Sequence, residues 1–217
     1  MTEFYFVRHG QTQVNLRNAF NGGSVDEPLT ESGLQAAKAC GKALADVHFV
    51  QAISSDMPRA VTTSQLILHE NRYPTPLNLA AGLHEMNLGD WDGKTVEEVA
   101  EPEALGVYFH DPVRFDRDYA PARHIEGYAK TLRRAQAVIT STYAAHPSGK
   151  VLVVAHGIVF QLLLNTLLGV PFAQLREPKM LRNATISQLN TQDGVHFSKI
   201  LWDLRPTEIE NKKILLT

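Results

Sequence analysis

The chain has 217 residues and a formal charge of −2, with 44% hydrophobic residues, enough for one sizeable α/β domain and short of two ordinary enzyme domains. Its lysines and arginines are scattered, which excludes a nucleic-acid face or a polybasic membrane patch. No apolar run approaches the ~20 residues that cross a bilayer, and the first residues enter a strand with no basic leader, so the expected location is the cytoplasm.

Phe4 to Val7 reads as a first buried strand, followed by a polar, glycine-bearing loop from Gln11 to Pro28. Thr30 is placed to cap a helix running to about Val47, with Leu34, Ala37, Cys40, Gly41 and Leu44 at helical spacing. Cys40, the single cysteine, can close no internal disulfide and no zinc knuckle, and reads as core filler. Val50 to Ser54 is a second strand, and Asp56-Met57-Pro58 starts a helix that puts Arg59 near its N-terminus. Leu77 to Ala80 is a third strand leading to the loop Leu83 to Gly93, after which Thr95-Val96-Glu97-Glu98 opens another helix.

Residues 102 to 124 break this regularity. Pro102, Pro112 and Pro121 interrupt a stretch that mixes aromatic residues with arginines, which reads as an inserted lid or specificity segment in a single domain of residues 1 to 217. A long helix follows from Ile125 to His146, then Val151 to Ala155 as the strongest buried strand, and the apolar helix Ile158 to Leu168 after His156-Gly157. Thr185 to Leu189 and Val195 to Trp202, joined through Gln192-Asp193-Gly194, form a hairpin at the sheet edge. Alternating strands and helices predict a largely parallel sheet covered on both faces, with its crevice at the strands' carboxyl ends. Arg8, His9, Arg59, Glu85 and His156 all fall after a strand or in the loop that follows one.

A histidine at the end of a buried strand, preceded by a fixed cation and followed by a conformationally free residue, suits attack on a phosphoryl group. On its own Arg8-His9-Gly10 is a weak signal. It is joined in order by Ser54-Ser55-Asp56-Met57-Pro58-Arg59-Ala60 with Thr63, by Leu83-His84-Glu85 with Gly89, Trp91 and Gly93, and by Val153-Val154-Ala155-His156-Gly157. Together these segments resemble the histidine phosphatase superfamily, also called phosphoglycerate mutase-like. Pro28-Leu29-Thr30 with Gly33 and Asn183-Ala184-Thr185 extend the likeness to nearly the whole chain.

The resemblance implies a three-layer α/β/α sandwich with a mostly parallel mixed sheet. It makes His9 the nucleophile, Arg8, Arg59 and His156 the positive pocket around it, and Glu85 the proton donor. Thr12, Asn15 and the backbone amide of Gly157 become further phosphate ligands, and Asn21 and Gly22 in the same loop are candidate substrate-binding positions.

The chemistry agrees with the residue types. A phosphate monoester dianion repels nucleophiles, so its site must spread cationic charge over the equatorial oxygens, and two arginines do so permanently. They also lower the pKa of His9 and keep its attacking nitrogen free. Attack then forms a phosphohistidine and splits one hard displacement into two. A carboxyl group beside a phosphate dianion is driven to hold a proton, which suits Glu85 to protonate the leaving alkoxide and then to accept a proton from water. Amides at the helix start after His156-Gly157 would aim at the phosphate. No metal and no cofactor are required, and Arg8 beside His9 would repel a divalent cation. The other histidines show no metal-ligand spacing, His84 reads as a half-buried loop residue, and Trp91 as packing under the Glu85 loop.

Mutases of this family carry an arginine directly after the glutamate and a tyrosine two places beyond that, where this chain has Met86 and Leu88. They also have a longer insertion. The phosphatase branch is therefore favoured, with the mutase as alternative. A catalytically idle phospho-ligand binding protein is the alternative of another class, set against an intact site. Two departures stand out: Gln11 replaces the glutamate that usually follows the glycine, and Ile125-Glu126-Gly127 stands where Gly-Glu-Ser is common. The expected partner is a small phosphorylated metabolite, with no nucleic acid and no membrane, and the insertion is available for a homodimer contact.

Overall fold

The structure is a computed structural model that describes residues 1–211. Strands β1 (Thr2–Arg8), β2 (Phe49–Ser54), β3 (Leu77–Leu79), β4 (Gly149–Ala155), β5 (Ile186–Thr191) and β6 (Phe197–Leu204) form one sheet in the order β3-β2-β4-β1-β5-β6. The first four are mutually parallel; β5 runs antiparallel to β1, and β6 antiparallel to β5.

The side-chain alternation of the central strands builds two core layers. Phe4, Phe6, Val151, Val153 and Ala155 face one side with Ala135, Ile139, Val159 and Phe160, while Tyr5, Val7, Leu152 and Val154 face the other with Cys40, Leu44, Ala60 and Ile67. Both faces are covered, so β1 and β4 read as continuous apolar runs. Burying each such aromatic or aliphatic side chain contributes roughly 1.5–3 kcal/mol before the cost of ordering it.

In chain order the helices are α1 (Gln13–Leu16), α2 (Glu31–Ala43), α3 (Pro58–Glu70), α4 (Val96–Val99), α5 (Pro102–His110), α6 (Pro112–Arg114), α7 (Tyr128–Ala145), α8 (Gly157–Leu167) and α9 (Pro206–Asn211). Thr30 caps α2 by accepting from the Gly33 amide, and Thr95 and Glu98 form a reciprocal capping box on α4. Helix α2 stops at Ala43, short of the expected Val47, with Leu44 and Val47 buried in the turn beyond it. The loop from Gln11 to Pro28 is less irregular than expected, because Thr12 and Asn15 fold its start into α1.

The insertion also differs from the expectation. Its prolines start helices: Pro102 and Pro112 lie in the first turns of α5 and α6, and Pro121 opens a 3-10 turn. Tyr108, Phe115, Leu105 and Tyr128 pack with Trp91, Met86 and Leu88 from the Glu85 loop into a third core cluster. Helix α7 starts at Tyr128, not Ile125, because Gly127 has φ of +83°. Gly127 has no side chain to cap the helix, and Asp116 of the insertion does so instead, its two oxygens accepting from the Tyr128 and Ala129 amides at 2.6 and 2.8 Å. The insertion thus caps α7 at the junction where a serine is common.

Gly10 is required by close approach, not by an unusual backbone angle: a Cβ there would lie 2.6 Å from the Gly33 carbonyl oxygen at the start of α2. Gly10→Ala is expected to force these backbones apart and destabilise the protein by about 1–3 kcal/mol. Chemical denaturation measures this, and an unchanged midpoint would contradict it.

Candidate active site

Strand register brings the reacting groups together. Arg8 pairs with Ala155 and Ser54 with Val154, so β1, β2 and β4 end side by side. Each chain then continues with a bond to its neighbour: the His9 amide donates to Ala155 O at 3.0 Å and the Ser55 amide to Val154 O at 2.9 Å. His9 and His156 emerge next to each other, their ring centroids 5.1 Å apart, and both are buried.

His9 Nδ1 lies 2.7 Å from Gly10 O. A carbonyl only accepts, so the proton is on Nδ1, and a neutral ring then carries its lone pair on Nε2. Burial first, and then the charges of Arg59 and Arg8, hold the His9 pKa well below the ordinary histidine value. The sequence points to the arginines, and the structure adds burial as the larger cause. Gly10 is pinned by its amide to Thr63 Oγ1 at 3.0 Å, and Thr63 in turn donates to Arg59 O.

His156 has its Nε2 2.8 Å from Ser55 Oγ, which also accepts from the Met57 amide. His156 Nδ1 is buried with no partner. Arg8 Nε and Arg59 Nε are likewise buried without partners. Two cationic donors and one ring nitrogen thus remain uncommitted, an arrangement that costs stability unless a ligand such as an oxyanion takes up the donors.

The remaining bonds of the arginines set their position. Arg8 Nη1 donates to Leu181 O at 2.6 Å. Arg59, on the first turn of α3, donates to Val25 O at 2.6 Å and Gly22 O at 3.1 Å and pairs with Asp26 at 3.2 Å. Gly22 is held between Arg59 and the Glu85 loop, where a Cβ would lie 2.1 Å from Asp92 Oδ1. The two arginines are electrostatically coupled to Glu85.

Glu85 takes amides that the sequence pattern offers to phosphate. Its Oε1 accepts from Met86 and Val159 at 2.9 and 3.1 Å and its Oε2 from Ile158 at 3.0 Å, so the carboxylate sits on the N-terminus of α8. Gly157 supplies the first-turn amide that Glu85 does not take, and a Cβ on Gly157 would lie 2.4 Å from Met180 Sδ and 3.0 Å from the Arg8 guanidinium carbon. Thr12 and Asn15 brace each other, with Asn15 Oδ1 accepting from the Thr12 amide and from Asn183 Nδ2. Asn21 donates to Thr12 Oγ1 while its own Oδ1 is buried and unpartnered.

Arg8, Asn15, Asn21 and Glu85 line a cavity of about 370 Å³. Its far wall comes from the insertion, through Tyr108 and Phe109, and from Arg176. Sequence reasoning missed Arg176. It also missed Arg134 of α7, which donates to the carbonyls of Gly82, His84 and Glu85 and pairs with Glu126, fixing the Glu85 loop. Gln11, the departure beside the nucleophile, faces away: its Oε1 accepts from Ser32 Oγ at the start of α2, and it does not line the cavity. Trp91 is core under the Glu85 loop, and Cys40 is buried with its thiol pushed up to about 12. His84 pairs with Asp56.

Burying both histidines neutral makes stability depend on pH. Above about pH 6.5 the rings are neutral whether folded or unfolded. Below it the unfolded chain binds two protons that the native site refuses, because both pKa values are lowered by burial and by the arginines. Stability should therefore fall as pH drops from 6.5 toward the folded pKa values, by up to about 1.4 kcal/mol per unit for each histidine. Denaturation midpoints across that window check this, and His9→Ala should remove about half of the slope.

Fold and site define a doubly wound α/β protein whose crevice presents a neutral histidine among unsatisfied cationic donors. Residues 4–203 match the family model of the histidine phosphatase superfamily (branch 1), and the chain belongs to that superfamily. It is 30% identical over 197 residues, 89% of this chain and 87% of the other, to a Proteus mirabilis protein named "Probable phosphoglycerate mutase GpmB". Over 171 residues, 79% and 82% of the two chains, it is 30% identical to the adenosylcobalamin/α-ribazole phosphatase of Salmonella typhimurium. The solved structure of a mycobacterial glucosyl-3-phosphoglycerate phosphatase in complex with VO3 superposes with a TM-score of 0.81 at 25% identity, covering 93% of this chain and 98% of that one. Among the described residues no helix is long and apolar enough to cross a membrane, and no cluster of potential metal ligands is present.

Proposed function

We propose that this protein is a metal-independent phosphatase that hydrolyses small phosphate monoesters through a phosphohistidine on His9, with Glu85 as proton donor. The observation that carries this reading is the tautomer of His9: Nδ1 bound to Gly10 O leaves Nε2 as a lone pair, beside two arginines with free Nε donors and a second histidine whose Nδ1 is unpartnered. In the first step Nε2 bonds to phosphorus and the ester P–O bond breaks, the leaving oxygen taking a proton from Glu85. In the second, water attacks phosphorus, Glu85 accepts its proton, and the P–N bond breaks to release inorganic phosphate. Arg8, Arg59 and His156 hold the equatorial oxygens throughout, with the Gly157 amide, Asn15 and Thr12 at the edge of the group and Asn21 and Gly22 holding the loop above it.

Hydrolysis is favoured over mutase action because Met86 and Leu88 are fully buried in the core under the insertion and put no cation beside Glu85. The test is release of inorganic phosphate from a panel of sugar phosphates, phosphoglycerates and nucleotides in the presence of chelator. Release from at least one ester supports the reading. No release, with interconversion of phosphoglycerates instead, would replace it by the mutase, and neither activity would leave a phospho-ligand binding protein. The expected ligand is a small phosphorylated metabolite, and the expected location is the cytoplasm.

A further inference from the structure

Arg176 is a charged side chain only 9% exposed, yet no carboxylate among the described residues pairs with it. Its Nη1 donates to the neutral amide oxygen of Gln161 on α8, and its Nε is buried without a partner. The guanidinium lies 4.8 Å from the Tyr108 ring centroid, 5.5 Å from Tyr128 and 5.7 Å from Phe109. Burying a cation is costly unless it is paired, and cation–π contacts return only part of that cost. Gln161 carries no charge and so orients the group without neutralising it, and is itself fixed by its amide nitrogen donating to Pro178 O at 2.5 Å. The charge is therefore built, fixed and left uncompensated.

Its position gives that charge a use. Arg176 lines the same cavity as Arg8, at the wall formed with the insertion, and among the described residues Glu85 is the only acidic one lining the cavity. A cavity of about 370 Å³ holds one small metabolite. Arg8 is the cation of the phosphate site that lines this cavity, so a ligand whose phosphoryl group meets Arg8 shares the cavity with a planar, forked donor set among aromatic faces, the group best suited to a second oxyanion.

We propose that Arg176 is a specificity-determining residue that binds a second anionic group, a carboxylate or a second phosphate, on the non-transferred part of the substrate. This rests on the phosphatase reading of the same cavity. The preferred substrates are then small phosphate esters with two anionic groups, and neutral sugar phosphates or glycerol phosphate are poorer.

The test compares three esters: glycerol 3-phosphate with one anionic group, 3-phosphoglycerate with a carboxylate added, and propane-1,3-diol bisphosphate with a second phosphate. For wild type, kcat/KM should be roughly ten- to a hundredfold higher for at least one of the doubly anionic esters, mainly through KM, as expected for one charge-assisted contact. Which of the two leads identifies the group. In Arg176→Met, which keeps a long apolar stem under the aromatic rings, that ratio should collapse toward one; Arg176→Lys, which keeps charge without the fork, should retain part of it. Equal loss on all three esters would make Arg176 a structural stack and overturn the proposal. So would a wild type with no preference, a result that needs no variant to fold. Dissociation constants for the same esters on His9→Ala, with and without Arg176→Met, separate the two readings. A binding preference that depends on Arg176, without turnover in wild type, sinks the phosphatase and keeps the anion site; turnover with no such preference does the reverse.

Discussion

His9→Ala is expected to lower phosphate release at least about a thousandfold and to abolish a phosphoenzyme that is stable in base and lost in acid. The size follows from what the side chain does in the crevice. Arg8, Arg59 and His156 can hold an ester without it, but a water that replaced Nε2 would be a weaker nucleophile with its proton still to lose, and it would not be held by the Gly10 bond. The acid lability is that of a P–N bond, which breaks once its nitrogen is protonated. Rapid acid and base quench of wild type with a radiolabelled ester, beside the variant, measures both quantities. Full turnover in the variant would remove His9 from the mechanism. Turnover lost with a base-stable label retained would move the nucleophile to His156, whose Nε2 is instead tied to Ser55.

The same buried, neutral state of His9 explains why so much of this site was legible in the sequence. Phe4 to Val7 and Val151 to Ala155 are apolar without interruption because both faces of the sheet are covered, and a polar residue directly after such a run must lie at the strand's carboxyl end. Register alone then brings Arg8, His9, Ser55 and His156 together. Helix α3 is legible for a similar reason, since Pro58 is tolerated only in a first turn and fixes where Arg59 sits.

What was not legible depends on partners distant in the chain. Pro102, Pro112 and Pro121 look like interruptions until each is seen at the start of its own helix, and the cap that Asp116 gives α7 spans the whole junction. Arg134 fixes the Glu85 loop from a helix that looks like an ordinary amphipathic surface helix. Arg176 sits between Leu175 and the exposed Glu177, with the exposed Lys179 just beyond, so it reads as one of a set of surface charges. Its burial comes from Tyr108, Phe109 and Tyr128, all supplied by the insertion and its flank. The amides of Ile158 and Val159 point to phosphate in the sequence because a helix N-terminus attracts any anion, and the nearer anion in this protein is the Glu85 carboxylate.

That last contact shapes the second large effect. Glu85→Gln is expected to slow hydrolysis of alkyl phosphates by roughly a hundred- to ten-thousandfold, and of p-nitrophenyl phosphate far less. An alkoxide leaves poorly unless protonated, whereas p-nitrophenolate needs little help, so loss of an acid must show as a steeper dependence on leaving-group pKa. The variant does more than remove the acid. Its carboxamide would set an NH2 against backbone amides that now donate to two carboxylate oxygens, which disturbs the start of α8 and the Gly157 amide beside Arg8. That damage acts on phosphate binding and is the same for every leaving group, so it shifts the whole series without changing its slope. Rates for a series of alkyl and aryl phosphates on both proteins therefore separate the two contributions. A steeper slope in the variant assigns the proton to Glu85, and a parallel line would leave Glu85 as the group that positions α8 and send the search for the acid elsewhere in the cavity.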